Sequence, residues 1–174
     1  LQELHRLGIE TTVMLTGDNR GTAEAIGRET GVSEIRAELL PDEKVAAIQS
    51  LVQRYQRVAM VGDGINDAPA LASASLGIAM GGAGSDAAIE TADVALLSDD
   101  LSRLPWLIRH SRKALAIIRQ NITFSLVVKA LFVVLTFSGF ASLWAAIAAD
   151  MGATLLVIAN ALRLLRTSDP ESGS

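Results

Sequence analysis

Residues 58–71 read Val-Ala-Met-Val-Gly-Asp-Gly-Ile-Asn-Asp-Ala-Pro-Ala-Leu. The apolar, valine-rich opening predicts a buried strand over residues 57–61 that ends in a glycine-framed turn. That turn brings two carboxylates, Asp63 and Asp67, and one carboxamide, Asn66, to one spot. Gly62 and Gly64 flank Asp63, and glycine lets the backbone approach a ligand closely. Asp63, at the strand end, is a hard oxygen donor of the kind Mg²⁺ prefers. A plain polar turn with a helix cap accounts for one aspartate here, but not for five polar and glycine positions together.

Upstream, residues 11–16 (Thr-Thr-Val-Met-Leu-Thr) form a β-branched run ending in Gly17-Asp18-Asn19, followed by a predicted helix to about Thr30 with Gly31 as its cap. Pro41-Asp42-Glu43 opens another helix, with proline near its first position and acids in its first turn. Its apolar residues Val45, Ile48, Leu51 and Val52 recur at helical spacing. A short helix is predicted over Ala68–Ala74. Strands are expected at Leu76–Met80 and Val94–Leu97, with a helix near Asp86–Thr91 between them. Strands alternating with helices, their polar residues gathered at strand ends, indicate a parallel doubly wound sheet. Gly81-Gly82-Ala83-Gly84-Ser85 reads as a flexible turn rather than a phosphate cradle. His5 and His110 are isolated and expected to face solvent. Asp99-Asp100 is expected to cap a long helix beginning near Leu101.

The composition changes along the chain. The 174 residues carry a formal charge of −4 and are half apolar, with a mean hydropathy of +0.37. Yet from Ile122 to Leu162 only Lys129 and Asp150 are ionisable. Those forty-one residues are too many for one membrane span and right for two of about 20 each. The natural turn is Ser138-Gly139-Phe140-Ala141-Ser142. Arg103, Arg109, Arg112, Lys113 and Arg119 precede the first span, and Arg163 and Arg166 follow the second. This places both ends in the cytoplasm and the turn outside, with Trp144 near the outer interface. Lys129 and Asp150 lie ten and eleven residues from Gly139, so each sits about 15–17 Å from the turn, close to the bilayer midplane. A charge at that depth usually faces a partner, a cavity or a transported ion. The acidic balance and the lack of a basic, aromatic-laced stripe argue against nucleic acid. With no cysteine, the chain holds no disulfide and no thiolate metal site.

Three motifs now stand in order: Thr16-Gly17-Asp18-Asn19, Pro41-Asp42-Glu43-Lys44, and Gly62 to Leu71. Together they resemble the second half of a P-type ATPase phosphorylation domain, over about residues 1–166. The resemblance implies an α/β fold: part of a Rossmannoid, haloacid-dehalogenase-like domain, followed by a two-helix transmembrane hairpin. It implies that Thr16 bonds a phosphoryl group, that Gly17 and Asp18 shape the loop beside phosphate and nucleotide, and that Lys44 neutralises phosphoryl oxygens. It further implies that Asp63, framed by Gly62 and Gly64, holds Mg²⁺, with Asn66 and Asp67 completing the site. Phosphoryl transfer needs such groups, since it is mostly positioning and charge stabilisation. The divisions expected are 1–100 for the phosphorylation domain, 101–121 for a connecting helix, 122–166 for the spans and 167–174 for a tail.

A hairpin of only two spans after the phosphorylation domain is similar to the heavy-metal pumps. The copper pumps' Tyr-Asn and Met-Ser-Ser patterns are absent. Lys129, the run Asp150-Met151-Gly152-Ala153-Thr154 and Asn160-Ala161-Leu162-Arg163 look like the exporters of zinc, cadmium and lead. A carboxylate suits a divalent ion such as Zn²⁺, whereas Cu(I) prefers sulfur. Met151, about 100° around the helix from Asp150, is a poor co-ligand. The resemblance implies ATP-driven export of Zn²⁺, Cd²⁺ or Pb²⁺ through an aspartyl phosphate. Asp150 would sit in the ion path, Lys129 would be its partner, and the bacterial plasma membrane would be the setting. The phosphate-accepting Asp-Lys-Thr-Gly-Thr motif is not in the sequence, and the chain begins at Leu1. A C-terminal piece, inactive without the rest of its polypeptide, is therefore expected. The competing readings are a membrane-anchored phosphatase of the haloacid-dehalogenase type and a truncated fragment that only binds partners.

Overall fold

A computed structural model describes residues 1–63, 66–80, 90–96, 100–140 and 142–165. The chain divides into two compact units, Leu1–Arg103 and Leu104–Ser174.

The first unit runs α1 (Gln2–Arg6), β1 (Val13–Leu15), α2 (Arg20–Thr30), β2 (Glu34–Arg36), α3 (Pro41–Tyr55), β3 (Ala59–Gly62), α4 (Ala68–Ser73), β4 (Leu76–Met80) and β5 (Val94–Leu96). Every strand pairing is parallel, as the alternation of strands and helices requires. The expected single sheet is two ladders among the described residues: β1 with β2, and β3–β4–β5 with β4 central. Both ladders serve one core. Ile48 and Leu51 of α3, Met60 of β3, Ala70 and Leu71 of α4 and Ala79 of β4 are its buried members, and Val13 and Leu15 of β1 pack on it. Burying each large side chain contributes about 1.5–3 kcal/mol. β2 was not foreseen, because Glu-Ile-Arg has neither β-branched density nor a long alternation; its ladder with β1 defines it.

Local signals hold the helices in place. Asn19 Oδ1 accepts the Thr22 N–H at 3.0 Å and caps α2, and Gly31 ends that helix with φ 74°. Pro41 opens α3, where the Glu43 carboxylate accepts the Leu40 N–H at 2.8 Å. The residues 81–89, which hold the glycine run and most of the expected intervening helix, lie outside the described residues; Glu90 and Thr91 are helical.

The second unit is a hairpin of α5 (Arg103–Phe137) and α6 (Leu143–Ala161), closed by a short 3₁₀ turn over Leu162–Leu164. α5 is unbroken over 35 residues, about 52 Å, well beyond the ~30 Å of a bilayer's hydrocarbon. Both helices are long and apolar enough to cross a membrane. The turn between them uses Gly139 at φ 76°, and Ser142 Oγ accepts the Ala145 N–H to cap α6. The α5 start is two residues later than expected. Its cap is Asp100, whose Oδ1 accepts the Ser102 N–H at 2.9 Å; Asp99 lies outside the described residues. One expectation fails outright. His110 does not face solvent: it is half-buried, stacks on Trp106 with ring centroids 4.9 Å apart, and its Nδ1 is buried. The spacing of four residues puts the two rings on one helix face. His5 is exposed as expected, and its Nδ1 bonds the Ile9 carbonyl.

Candidate functional site

The polar residues of the first unit gather beyond the C-terminal ends of β1 and β3, where open α/β sheets bind ligands. The loop leaving β1 is folded on itself. Thr16 Oγ1 donates to Asp18 Oδ2 at 2.9 Å and accepts the Asp18 N–H at 3.1 Å. It is also stitched to the loop leaving β2. Leu39 N–H donates to the Thr16 carbonyl, Glu38 N–H donates to the Asp18 carbonyl, and a Cβ on Gly17 would meet the Leu39 carbonyl oxygen at 3.3 Å. This second loop leads into α3, whose first turn carries Lys44. Glu38 carries no motif that marks it in the sequence. It sits at φ 60°, and its carboxylate accepts the Arg20 N–H at 3.4 Å, so it braces the β1 loop from the other side.

Lys44 reaches across to the β3 turn. Its Nζ lies 2.8 Å from Asp67 Oδ1, with 18% and 13% of the two side chains exposed. A charge-assisted bond this sheltered contributes about 1.5–3 kcal/mol and fixes where the ammonium points. Gly62 makes that bond possible. A Cβ there would come within 3.0 Å of both the Asp67 Cβ and Oδ2, so the side chain Gly62 lacks leaves the space Asp67 fills. The resemblance implies that Gly62 frames a bound cofactor; among the described residues it packs against Asp67. Asp63 and Asn66 are exposed at the mouth of the turn, and the Asp63 carboxylate has no hydrogen-bond or ion-pair partner among the described residues. Gly64 lies outside them.

An unpaired carboxylate at a strand end fits a Mg²⁺ ion, which keeps several waters and takes only one or two protein carboxylates beside substrate phosphates. No cluster of three acidic or histidine side chains exists among the described residues. Thr16, Asp18, Lys44, Asp63 and Asp67 are thus carried to one edge of the fold. What they offer is hydroxyl and amide donors, one fixed cation and one free carboxylate.

The hairpin carries a second constellation. Lys129 Nζ stands 3.9 Å from Asp150 Oδ1, an ion pair too long for a hydrogen bond, with both side chains more than half exposed. The pair lines a cavity of about 400 Å³ that continues toward the Gly139 turn past Phe132, Thr136, Phe137 and Ala146.

The comparisons with known proteins bear on both constellations. A family model for haloacid dehalogenase-like hydrolases matches residues 1–75. The probable cadmium-transporting ATPase of Listeria monocytogenes is 61% identical over 97% of this chain, and the cadmium-transporting ATPase of Staphylococcus aureus is 57% identical over the same share. A crystal structure of a zinc-transporting PIB-type ATPase in the E2.Pi state superimposes with a TM-score of 0.87 at 53% identity, over 95% of this chain. The chain belongs to the heavy-metal P-type ATPases. It spans about a quarter of its relatives: 24% of the Listeria protein and 27% of the zinc pump. The haloacid-dehalogenase-like domain and membrane hairpin of this family of ATPases account for its two units. The cadmium- and zinc-transporting relatives give no support to the membrane-anchored phosphatase or to the truncated fragment that only binds partners.

Proposed function

We propose that this chain is the C-terminal part of a pump that uses ATP to export divalent zinc-group ions, Zn²⁺, Cd²⁺ or Pb²⁺. The observation that carries the reading is the Lys129–Asp150 pair in the middle of two apolar helices. An anchor has no use for two charges at that depth, whereas an ion path needs a carboxylate there. Asp150 holds the ion, and Lys129, 3.9 Å away, replaces it as counter-charge when the site empties. The two helices cross the bacterial plasma membrane with the first unit in the cytoplasm, and the basic residues flanking the spans support that orientation.

The first unit works on phosphate. The γ-phosphoryl of ATP passes to an aspartate carboxylate elsewhere in the polypeptide: the bond to ADP breaks as the new oxygen–phosphorus bond forms. Water later cleaves that acyl phosphate. In both steps Lys44, aimed by Asp67, neutralises the equatorial oxygens, while the Thr16 hydroxyl, turned from Asp18 Oδ2, donates to one of them. Asp63 would hold Mg²⁺, which supplies further positive charge at the phosphate. The nucleotide-binding and actuator parts, and the remaining spans, belong to the rest of the polypeptide.

The test is ATP hydrolysis by the full-length pump in lipid, across Zn²⁺, Cd²⁺, Pb²⁺, Co²⁺ and Cu⁺. Stimulation by Zn²⁺, Cd²⁺ or Pb²⁺ is expected, and Asp150→Ala should abolish it while phosphorylation by inorganic phosphate persists. Stimulation by Cu⁺ alone, or indifference to Asp150→Ala, contradicts the assignment of the ion site.

A further inference from the structure

The seam between α5 and α6 has a pattern of its own. From Asn121 onward on α5 the half-buried positions are Asn121, Ser125, Val128, Phe132 and Leu135; on α6 they are Ala146, Ala149, Gly152, Val157 and Asn160, with Ala153 buried among them. Both series step by three and four residues, close to the 3.5-residue period of paired helices. The α6 side is almost entirely alanine, glycine and valine. Such a face is smooth, and lipid tails give no hydrophobic drive to prefer one register over another. Slipping α6 by one turn shifts it by about 5.4 Å, which is enough to take Asp150 out of reach of Lys129.

One polar cluster breaks the smoothness. Asn160 Nδ2 donates to Asn121 Oδ1 at 2.9 Å, and Asn121 Nδ2 donates to the Val157 carbonyl at 3.4 Å. Arg163 Nη1 donates to Asn160 Oδ1 at 3.1 Å. The cluster sits eight residues from Lys129 on α5 and ten from Asp150 on α6, about 12–15 Å along the helices toward the end away from the Gly139 turn. An asparagine in an otherwise apolar helix pair specifies register, because any slip strands an amide without a partner.

We propose that the Asn121–Asn160 amide pair, buttressed by Arg163, is a register lock that positions Asp150 opposite Lys129. These are positioning residues: they do not touch the ion, and they act through Asp150. The inference rests on the reading of Asp150 as the ion site. It predicts a specific kinetic signature. Loss of the lock lets α6 sample registers in which Asp150 is misplaced, so metal affinity falls while the chemistry in the first unit is spared.

The experiment uses the full-length pump reconstituted in lipid, with Cd²⁺-stimulated ATP hydrolysis as the readout and phosphorylation by inorganic phosphate as the check on folding. Asn121→Ala and Asn160→Ala should each raise the KM for Cd²⁺ about tenfold and leave kcat within twofold. The double variant should match the singles, since either change opens the same lock. Asn160→Asp keeps the acceptor for Arg163 but loses the Nδ2 donor to Asn121 Oδ1, so it should raise KM as the alanine variants do. If the alanine variants give no phosphoenzyme, Asn160→Asp carries the test alone. Unchanged KM in the alanine variants or in Asn160→Asp, or multiplying effects in the double, overturns the lock; a lower KM for Asn160→Asp also overturns it and would make Asn160 an ion ligand. Asp150→Ala is run alongside. Metal stimulation that survives that change removes the ion-site reading itself, and the lock with it, whereas its loss beside unaffected asparagine variants removes only the lock.

Discussion

Lys44, Asp67 and Gly62 form one device, although they come from three places in the chain. The lysine supplies charge, the aspartate aims it, and the glycine leaves room for the aspartate. Adding a methyl at Gly62 pushes directly on Asp67 Oδ2, so Gly62→Ala should imitate Asp67→Asn. Both variants should weaken orthovanadate inhibition of the full-length pump about tenfold to a hundredfold, the equivalent of the 1.5–3 kcal/mol that a charge-assisted bond contributes. Unaltered inhibition in Gly62→Ala would show that the loop relaxes around the methyl. The sequence announced the residue types at this edge, because a strand ending in glycine-framed carboxylates is a local pattern. It did not announce who touches whom. That Gly62 packs against Asp67 depends on the path of the turn, and Glu38 takes part only where two loops meet.

The long helix α5 shows how far periodicity reaches at the scale of an element. Its continuity over 35 residues followed from an unbroken helical pattern, and its start followed from an aspartate placed to cap it. Asp100 also gives the element a dependence on pH. Hydrogen bonds from the Ser102 hydroxyl and N–H, aided by the charge of Arg103, hold its carboxyl below the ordinary 3.8. A depressed value in the folded state means that the cap is fully in place above pH 3.8 and is lost as pH falls through the lower folded value. Hydrogen-exchange protection of the first α5 turn should therefore decline only below that pH, and Asp100→Asn should remove the dependence. His110 departs from the expected exposure for an element-scale reason. A lone histidine in a charged segment looks solvated, but the aromatic one turn before it provides a stacking surface. β2 escaped notice because three residues carry too little pattern to mark a strand.

At the scale of the whole molecule, two units divide the labour. One collects the groups proposed to handle phosphate at the edge of parallel strands, and the other keeps a lysine and a carboxylate together in an apolar hairpin. Composition alone separated them, because only two ionisable residues fall in forty-one. It could not reveal the asparagine cluster, which depends on how the helices are registered around the turn at Gly139. The central claim is that the two units serve one transport cycle. The most direct measurement is ATP-dependent uptake of radiolabelled Cd²⁺ into inside-out vesicles bearing the full-length pump, compared with its Lys44→Ala and Asp150→Ala variants. The account predicts uptake by the parent and none by either variant, with Asp150→Ala alone still phosphorylated normally by inorganic phosphate. Uptake that survives Asp150→Ala, or that ignores ATP, would contradict it.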